Sequence, residues 1–170
     1  MKRIFLATLL VFMMSAATAL AANWQQIYTD NDDNVIFFDT ESVSATWQDT
    51  MQDKGDVTFS AVFRMEYSEK GRAALIDWYR NYSIVPAGIE SLSYDITTIQ
   101  FKKVGDKRYY HISDRDSYTA SGAEISGMHY RNAEPNWIEI PVASNVDVEY
   151  NEAKLIVDGK RYKRLDSEGI

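Results

Sequence analysis

From Val57 to Tyr67 the chain alternates. Val57, Phe59, Ala61, Phe63, Met65 and Tyr67 fall on one side, Thr58, Ser60, Arg64 and Glu66 on the other, and only Val62 is out of step. Successive side chains of an extended strand point to opposite faces, so this period of two demands a strand with one buried and one wet face. Strands of parallel sheets are buried on both faces and read as continuous apolar runs, whereas clean alternation belongs to antiparallel sheets. The segment therefore predicts an antiparallel sheet with something packed on one face.

The flanking sequence supplies the cover and the neighbouring strands. Leu75, Trp78, Tyr79 and Tyr82 are spaced i, i+3, i+4, i+7, the stripe of an amphipathic helix, and Pro86 and Gly88 punctuate its end. All of that aromatic stripe is expected to face the core. Upstream, Trp24–Tyr28 and Val35–Phe38 read as strands joined through the polar block Asp30–Asn34, a hairpin with strong turn chemistry. Downstream, Leu92, Tyr94 and Ile96 alternate, then the apolar phase moves to Ile99 and Phe101, which predicts a bulge near Thr97 or Thr98. Gly105-Asp106 reads as a tight turn into Arg108–Ile112, Asp114–Ser117 as turn-rich, and Trp137–Ile140 as a short strand stopped by Pro141. Val142, Val146 and Tyr150 fit a helix, and Val146, Val148 and Tyr150 fit a strand equally well. Leu155–Val157, Asp158-Gly159 and Lys160–Tyr162 read as a closing hairpin. The fold class expected is α+β, a small mainly antiparallel β-sheet packed with one or two helices.

The N-terminus says where such a domain works. Lys2 and Arg3 precede an apolar run from Ile4 to Met14, and Ala19-Leu20-Ala21 is an A-x-A cleavage site of the secretory type. The run is shorter than the roughly 20 apolar residues that span a bilayer. Residues 1–21 are therefore expected to be a signal peptide and 22–170 a single exported domain. Such a chain buries about 68–70% of its unfolded surface, enough for a self-sufficient core. It has no cysteine, so no disulfide supports it, and Ala22 stands where a lipoprotein would carry its acylated Cys. The signal holds two basic residues and no acid, so the net charge of −7 becomes −9 once it is removed. That field repels nucleic acid, and no second long apolar segment would embed the exported chain in a membrane. The expected location is extracytoplasmic: periplasm, medium or cell surface.

Three segments together resemble the surface-adhesin E-like family of bacterial exported proteins. They are Asn23–Ile27 (NWQQI), Val35–Val43 (VIFFDTESV) and Asn136–Ser144 (NWIEIPVAS). The second is similar to the family's Tyr-Ile-Asp-x-x-Ser-Ile segment, with Asp39, Ser42 and Val43 in register, and the third to its Trp…Pro-x-Ser stretch. Tyr94–Phe101 lies between them, in the family order. The resemblance implies a small antiparallel sheet packed with a helix, exposed at the cell envelope and binding host or matrix proteins; the partner expected here is a host-matrix or envelope protein. The chain departs from the family where Ile96 replaces a Cys, in a longer segment from Glu69 to Glu90, and in a longer tail beyond Ala153. No family binding residue carries over.

Motifs for chemistry are few. Asp30, Asp32, Asn34 and Glu41 occupy positions 1, 3, 5 and 12 of a calcium loop, but Val35 stands where Gly is required and strands replace the flanking helices. Asp39 and Glu41 lie on one side of an extended segment, roughly 7 Å apart, a separation seen in paired glycosidase carboxylates. Turn capping explains them as well. His111 and His129 are the only histidines and lack zinc-ligand spacing, and no G-x-S-x-G marks a serine nucleophile. The expectation is a non-enzymatic binding domain with no catalytic residue, metal or cofactor. Eleven Tyr and four Trp are rich for so small a domain. Tyr109, Tyr110, Tyr118 and Tyr130 stand in polar surroundings and are the candidate binding residues, an exposed aromatic patch for protein or sugar. A small periplasmic hydrolase using Asp39 and Glu41, or an envelope accessory subunit, are the alternatives. A hydrolase would show its carboxylates in one concave pocket with perturbed proton affinity.

Overall fold

The computed structural model describes residues 22–47, 56–132 and 134–168; the expected signal segment, residues 1–21, lies outside them. The chain runs β1 (Trp24–Thr29), β2 (Val35–Asp39), β3 (Ser44–Trp47), β4 (Val57–Glu66), α1 (Glu69–Tyr82), a short 3-10 helix (Ile89–Ser91), β5 (Leu92–Val104), β6 (Lys107–Thr119), β7 (Glu124–Arg131), β8 (Ile138–Glu139) and α2 (Asn145–Glu168). The strands form one open sheet in the order β1-β2-β4-β5-β6-β7, with β3 on β4 and β8 on β6. Every pairing is antiparallel. The molecule is α+β, as its alternating segment predicts. Among the described residues no helix is long and apolar enough to cross a membrane.

That segment is β4, and Val57, Phe59, Ala61 and Phe63 are all buried while their neighbours are partly wet. Opposite residues of an antiparallel ladder share a face. Phe59 therefore lies beside Phe101, and Ala61 beside Ile99, on the covered side. α2 covers them. Tyr150, Ala153 and Val157 are buried at helical spacing, and the Tyr150 ring meets Phe59 at 5.4 Å and Phe101 at 5.6 Å between centroids. The closing hairpin expected at Leu155–Tyr162 does not exist, because those residues continue α2. The Asp158-Gly159 turn signal loses to burial of Val157 on one side of the helix. Gly159 sits outward in open space, and Lys154 ion-pairs with Asp158 one turn away.

α1 packs on the same face at the other end of the strands. Leu75, Ile76 and Tyr79 meet Ile89, Leu92, Ile125 and Met128, and Arg72 Nη1 donates to the Leu92 carbonyl. The helix is where the sequence predicts it, but the inward stripe is Arg72, Leu75, Ile76 and Tyr79. Trp78 and Tyr82 face solvent, 52% and 75% exposed, their rings tilted against each other at 5.9 Å between centroids. The reason lies at the helix start. Ser68 caps it by accepting from the Gly71 amide at 2.8 Å. Gly71 lies so close to the buried Asn34 that a Cβ there would be 1.8 Å from Asn34 Oδ1. Docking through Gly71 fixes the rotation of the helix and turns Trp78 and Tyr82 outward.

The expected bulge is also displaced. β5 pairs with β4 without interruption from Tyr94 to Lys103. The extra residue is Ser113 of β6, opposite the Thr98–Ile99 step. The change of apolar phase along β5 has another cause: Tyr94 and Ile96 belong to the outer face, where Tyr94 stacks on Tyr118 and lies under Arg64. Gly105-Asp106 does form the two-residue β5–β6 turn, with Gly105 at φ 58.

Candidate functional site

The register builds a row across the covered face: Phe38, Phe63, Thr97, Arg115, Tyr130. Its neighbour runs Ile36, Met65, Asp95, Ser117. Apolar side chains at the β2–β4 end thus give way to small and charged ones at β6. The Ser113 bulge makes this possible. An uninterrupted strand would send Ile112 and Arg115 to opposite faces; the extra residue puts both on the covered one, re-aiming a side chain as bulges near sites do.

Where the two helices flank this stretch lies a groove of three cavities. One of about 250 Å3 lies under α1, beside Leu75, Tyr79, Asp95, Ser117 and Met128. One of about 190 Å3 lies at the start of α2, beside Met65, Ile99, Val146 and Glu149. One of about 210 Å3 lies between Tyr110, Tyr130, Asn132 and Ile138. Arg115 lines all three.

Its guanidinium has no hydrogen-bond or ion-pair partner among the described residues, and only its backbone carbonyl is used, by Arg131. The other arginines with described side chains are all engaged: Arg64 with Glu66, Arg72 with the Leu92 carbonyl, Arg80 with Asp77, Arg108 with Asp147, Arg131 with Asp114 and Asp116. Arg115 is also close enough to act electrostatically on two buried carboxyls. Asp95, 4% exposed, accepts through Oδ2 from the Tyr67 hydroxyl at 2.8 Å, and its buried Oδ1 has no partner. Burial raises the proton affinity of Asp95, while the Ser117 and Tyr67 hydroxyls and the Arg115 charge hold it down. Ser117 stands directly across the ladder from Asp95, its hydroxyl turned to the carboxyl. Glu149 of α2 accepts from the Tyr28 hydroxyl at 2.8 Å. Burial pushes its carboxyl up to about 7 against the opposing pull of Tyr28 and Arg115. Both tyrosine hydroxyls are correspondingly harder to ionise, chiefly through burial. Among the described residues the arrangement offers an unpaired guanidinium beside two buried carboxyls in a small, partly apolar groove.

The four tyrosines expected as a patch divide between faces. Tyr110 and Tyr130 lie on the covered face and line the same cavity with Arg115, Tyr130 being 45% exposed. Tyr109 and Tyr118 are half-buried on the outer face, Tyr109 beside Lys102 and Glu139, Tyr118 against Tyr94. Asp39 accepts from the Asn23 and Glu41 amides at 3.2 and 3.1 Å, capping its own turn. The Asp30 carboxylate accepts from the Asp32 and Asn34 amides at 2.9 and 3.0 Å, which is also turn chemistry. His111 is buried with Nε2 at 3.2 Å from the Asn132 carbonyl. Among the described residues no three His, Asp or Glu side chains converge as metal ligands would.

Sequence reasoning misses Arg115, Asp95, Glu149, Tyr28 and Tyr67. One signal was present: Asp95 shares the odd phase of Ile99 and Phe101, which places a carboxylate on the buried side of β5. No protein-family model, curated protein or solved structure matches the chain.

Proposed function

We propose that the protein is an exported, non-enzymatic binding domain of the bacterial envelope whose ligand lies in the groove at Arg115. The observation that carries this reading is the unpaired guanidinium shared by three adjoining cavities. A guanidinium presents five donors, and hydrogen bonds to charged groups contribute about 1.5–3 kcal/mol, so this side chain is a ready anchor for an anionic group. Each cavity is smaller than the roughly 300 Å3 at which drug-sized pockets begin. The groove thus suits a small envelope molecule, or the end of a protein chain, better than a globular surface. The resemblance of Asn23–Ile27, Val35–Val43 and Asn136–Ser144 to the surface-adhesin E-like family belongs to the same proposal. An antiparallel sheet under a helix is the architecture that resemblance implies. Export rests on the pattern of residues 1–21.

Native mass spectrometry of the protein after incubation with the dialysable fraction of a bacterial envelope extract tests the site. A small-molecule adduct that disappears in Arg115→Ala is the expected result. An adduct that survives the substitution, or none in the wild type, overturns it.

A second reading, a small hydrolase, has one observation in its favour: a buried carboxyl beside a cavity, pushed up to about 7, has the proton affinity of a general acid–base. It is Glu149 that meets this description; Asp39 caps a turn instead, accepting from the Glu41 amide. Assays with p-nitrophenyl esters and glycosides separate the readings. Turnover abolished by Glu149→Gln would establish a hydrolase, and adduct formation without turnover leaves the binding domain.

A further inference from the structure

The three cavities at Arg115 differ in character. The one at the start of α2 is the most apolar, walled by Phe63, Met65, Ile99, Ile112 and Val146. Its other charged and phenolic wall groups are engaged with protein: the Tyr28 hydroxyl donates to Glu149 at 2.8 Å, and Arg64 pairs with Glu66. Arg115 is the exception. This exposed residue lines the cavity with no hydrogen-bond or ion-pair partner for its guanidinium among the described residues, and its charge reaches Glu149 in the same wall. Asn145 and Val146, the first residues of α2, line the cavity as well, and the positive end of so long a helix also favours an anion. An apolar hollow beside an unpaired cation matches a molecule with an aliphatic body and one anionic end. A bare anion would leave the hollow unfilled, and a bare hydrocarbon would leave the guanidinium unpaired.

We propose that the cavity at the start of α2 binds a short-chain aliphatic monocarboxylate, its carboxylate on the Arg115 guanidinium and its hydrocarbon tail between α2 and the sheet. This rests on the binding reading above and names its ligand. The volume of about 190 Å3 sets the length at roughly six carbons, each methylene filling about the 30 Å3 share of a water molecule in the liquid. The planar fork of an arginine matches the two oxygens of a carboxylate. Electrostatics agree. The chain's net charge of −7 repels polyanions, whereas a single negative charge feels chiefly the cation beside it. Glu149 does not compete for Arg115 in a mildly acidic medium, because burial pushes its carboxyl up to about 7 and leaves it uncharged there. The C-terminus of a peptide carries the same carboxylate, but its last amide would enter the apolar cavity without a hydrogen-bond partner, which weakens binding.

Nuclear magnetic resonance of methyl-labelled protein, titrated with sodium hexanoate at about pH 6, tests the assignment. Saturable shifts are expected in the methyls of Met65, Ile99 and Val146, with Leu155, exposed on α2, unmoved. Affinity should rise roughly fourfold with each methylene from propionate to hexanoate. Hexanamide, which keeps the tail and loses the charge, should bind at least about tenfold more weakly than hexanoate, and so should N-acetyl-leucine. Arg115→Gln, at an exposed and unpaired position, is expected to fold normally and to lose hexanoate by a similar factor. An affinity independent of chain length, hexanamide binding as well as hexanoate, or N-acetyl-leucine binding better than hexanoate overturns the aliphatic acid. So does silence of these methyls with every probe; if the native-mass-spectrometry adduct is still lost in Arg115→Ala, the groove remains a binding site for another chemistry. Undiminished hexanoate binding by Arg115→Gln overturns both the ligand and Arg115 as the anchor of the groove.

Discussion

Arg115 and Glu149 show how a single side chain acquires meaning from what surrounds it. On a surface strand an arginine without a partner is unremarkable, but here every other arginine whose side chain is described has one and this one faces three cavities. Because its exposed guanidinium makes no described hydrogen bond or ion pair, Arg115→Ala should change stability at pH 5 by no more than about 0.5 kcal/mol, as surface substitutions usually do, while removing the ligand. Thermal denaturation with and without envelope extract reads both effects. Glu149 behaves differently. It holds its proton more tightly folded than unfolded, about 7 against the ordinary 4.5. That contribution to stability is fully present below 4.5 and is lost as pH rises from there through about 7. At pH 8 the protein therefore carries the whole cost of a buried carboxylate, up to about 3 kcal/mol. Glu149→Gln keeps an acceptor for the Tyr28 hydroxyl and removes the charge. It should raise Tm at pH 8, leave it nearly unchanged at pH 4.5, and flatten the profile between. A wild-type profile already flat from pH 4.5 to 8 would contradict the account of Glu149.

At the level of elements, two glycines of the helices make opposite predictions. Gly71 is buried against Asn34, whose Oδ1 accepts from the Ser68 amide at 3.0 Å, so the β1–β2 loop and the start of α1 share one network. Gly71→Ala must push Asn34 away and should cost about 2–3 kcal/mol, read as a lower urea midpoint. Gly159 stands in open space within α2. Gly159→Ala should stabilise by about 0.5–1 kcal/mol, through the lower backbone entropy of the unfolded chain. The same elements show what could be read from letters alone. β4 was legible because its two faces meet different solvents, so composition and geometry carry one message. α1 was legible in period but not in orientation, since Trp78 and Tyr82 are as apolar as the residues that do face inward; only the close approach at Gly71 fixes the rotation. α2 was half legible. Val146 and Tyr150 suggested it, but Ala153 is too small to mark a stripe, and Asp158-Gly159 gave a strong local turn signal that tertiary burial of Val157 overrides.

Across the whole molecule, the sheet is covered at its two ends by two helices, and the groove lies where they flank it. Its polar groups come from far apart in sequence: Tyr28, Tyr67, Asp95, Arg115 and Glu149 share no motif, and only the register of the sheet and the Ser113 bulge bring them to one face. That is why the site was illegible while the fold was not. Asp114–Ser117 reads as a turn because charged residues are rare in strands; in the structure those residues continue β6, and Arg115 and Ser117 line the groove. Nuclear magnetic resonance of the isotope-labelled protein, titrated with dialysable envelope extract, tests this account most directly. The account predicts saturable shifts in the Arg115 Nε–Hε resonance and in the amides of Asp95, Ser117 and Tyr130, with Tyr94 and Tyr118 on the outer face unmoved. Shifts confined to the outer face, or a silent Arg115, would contradict it.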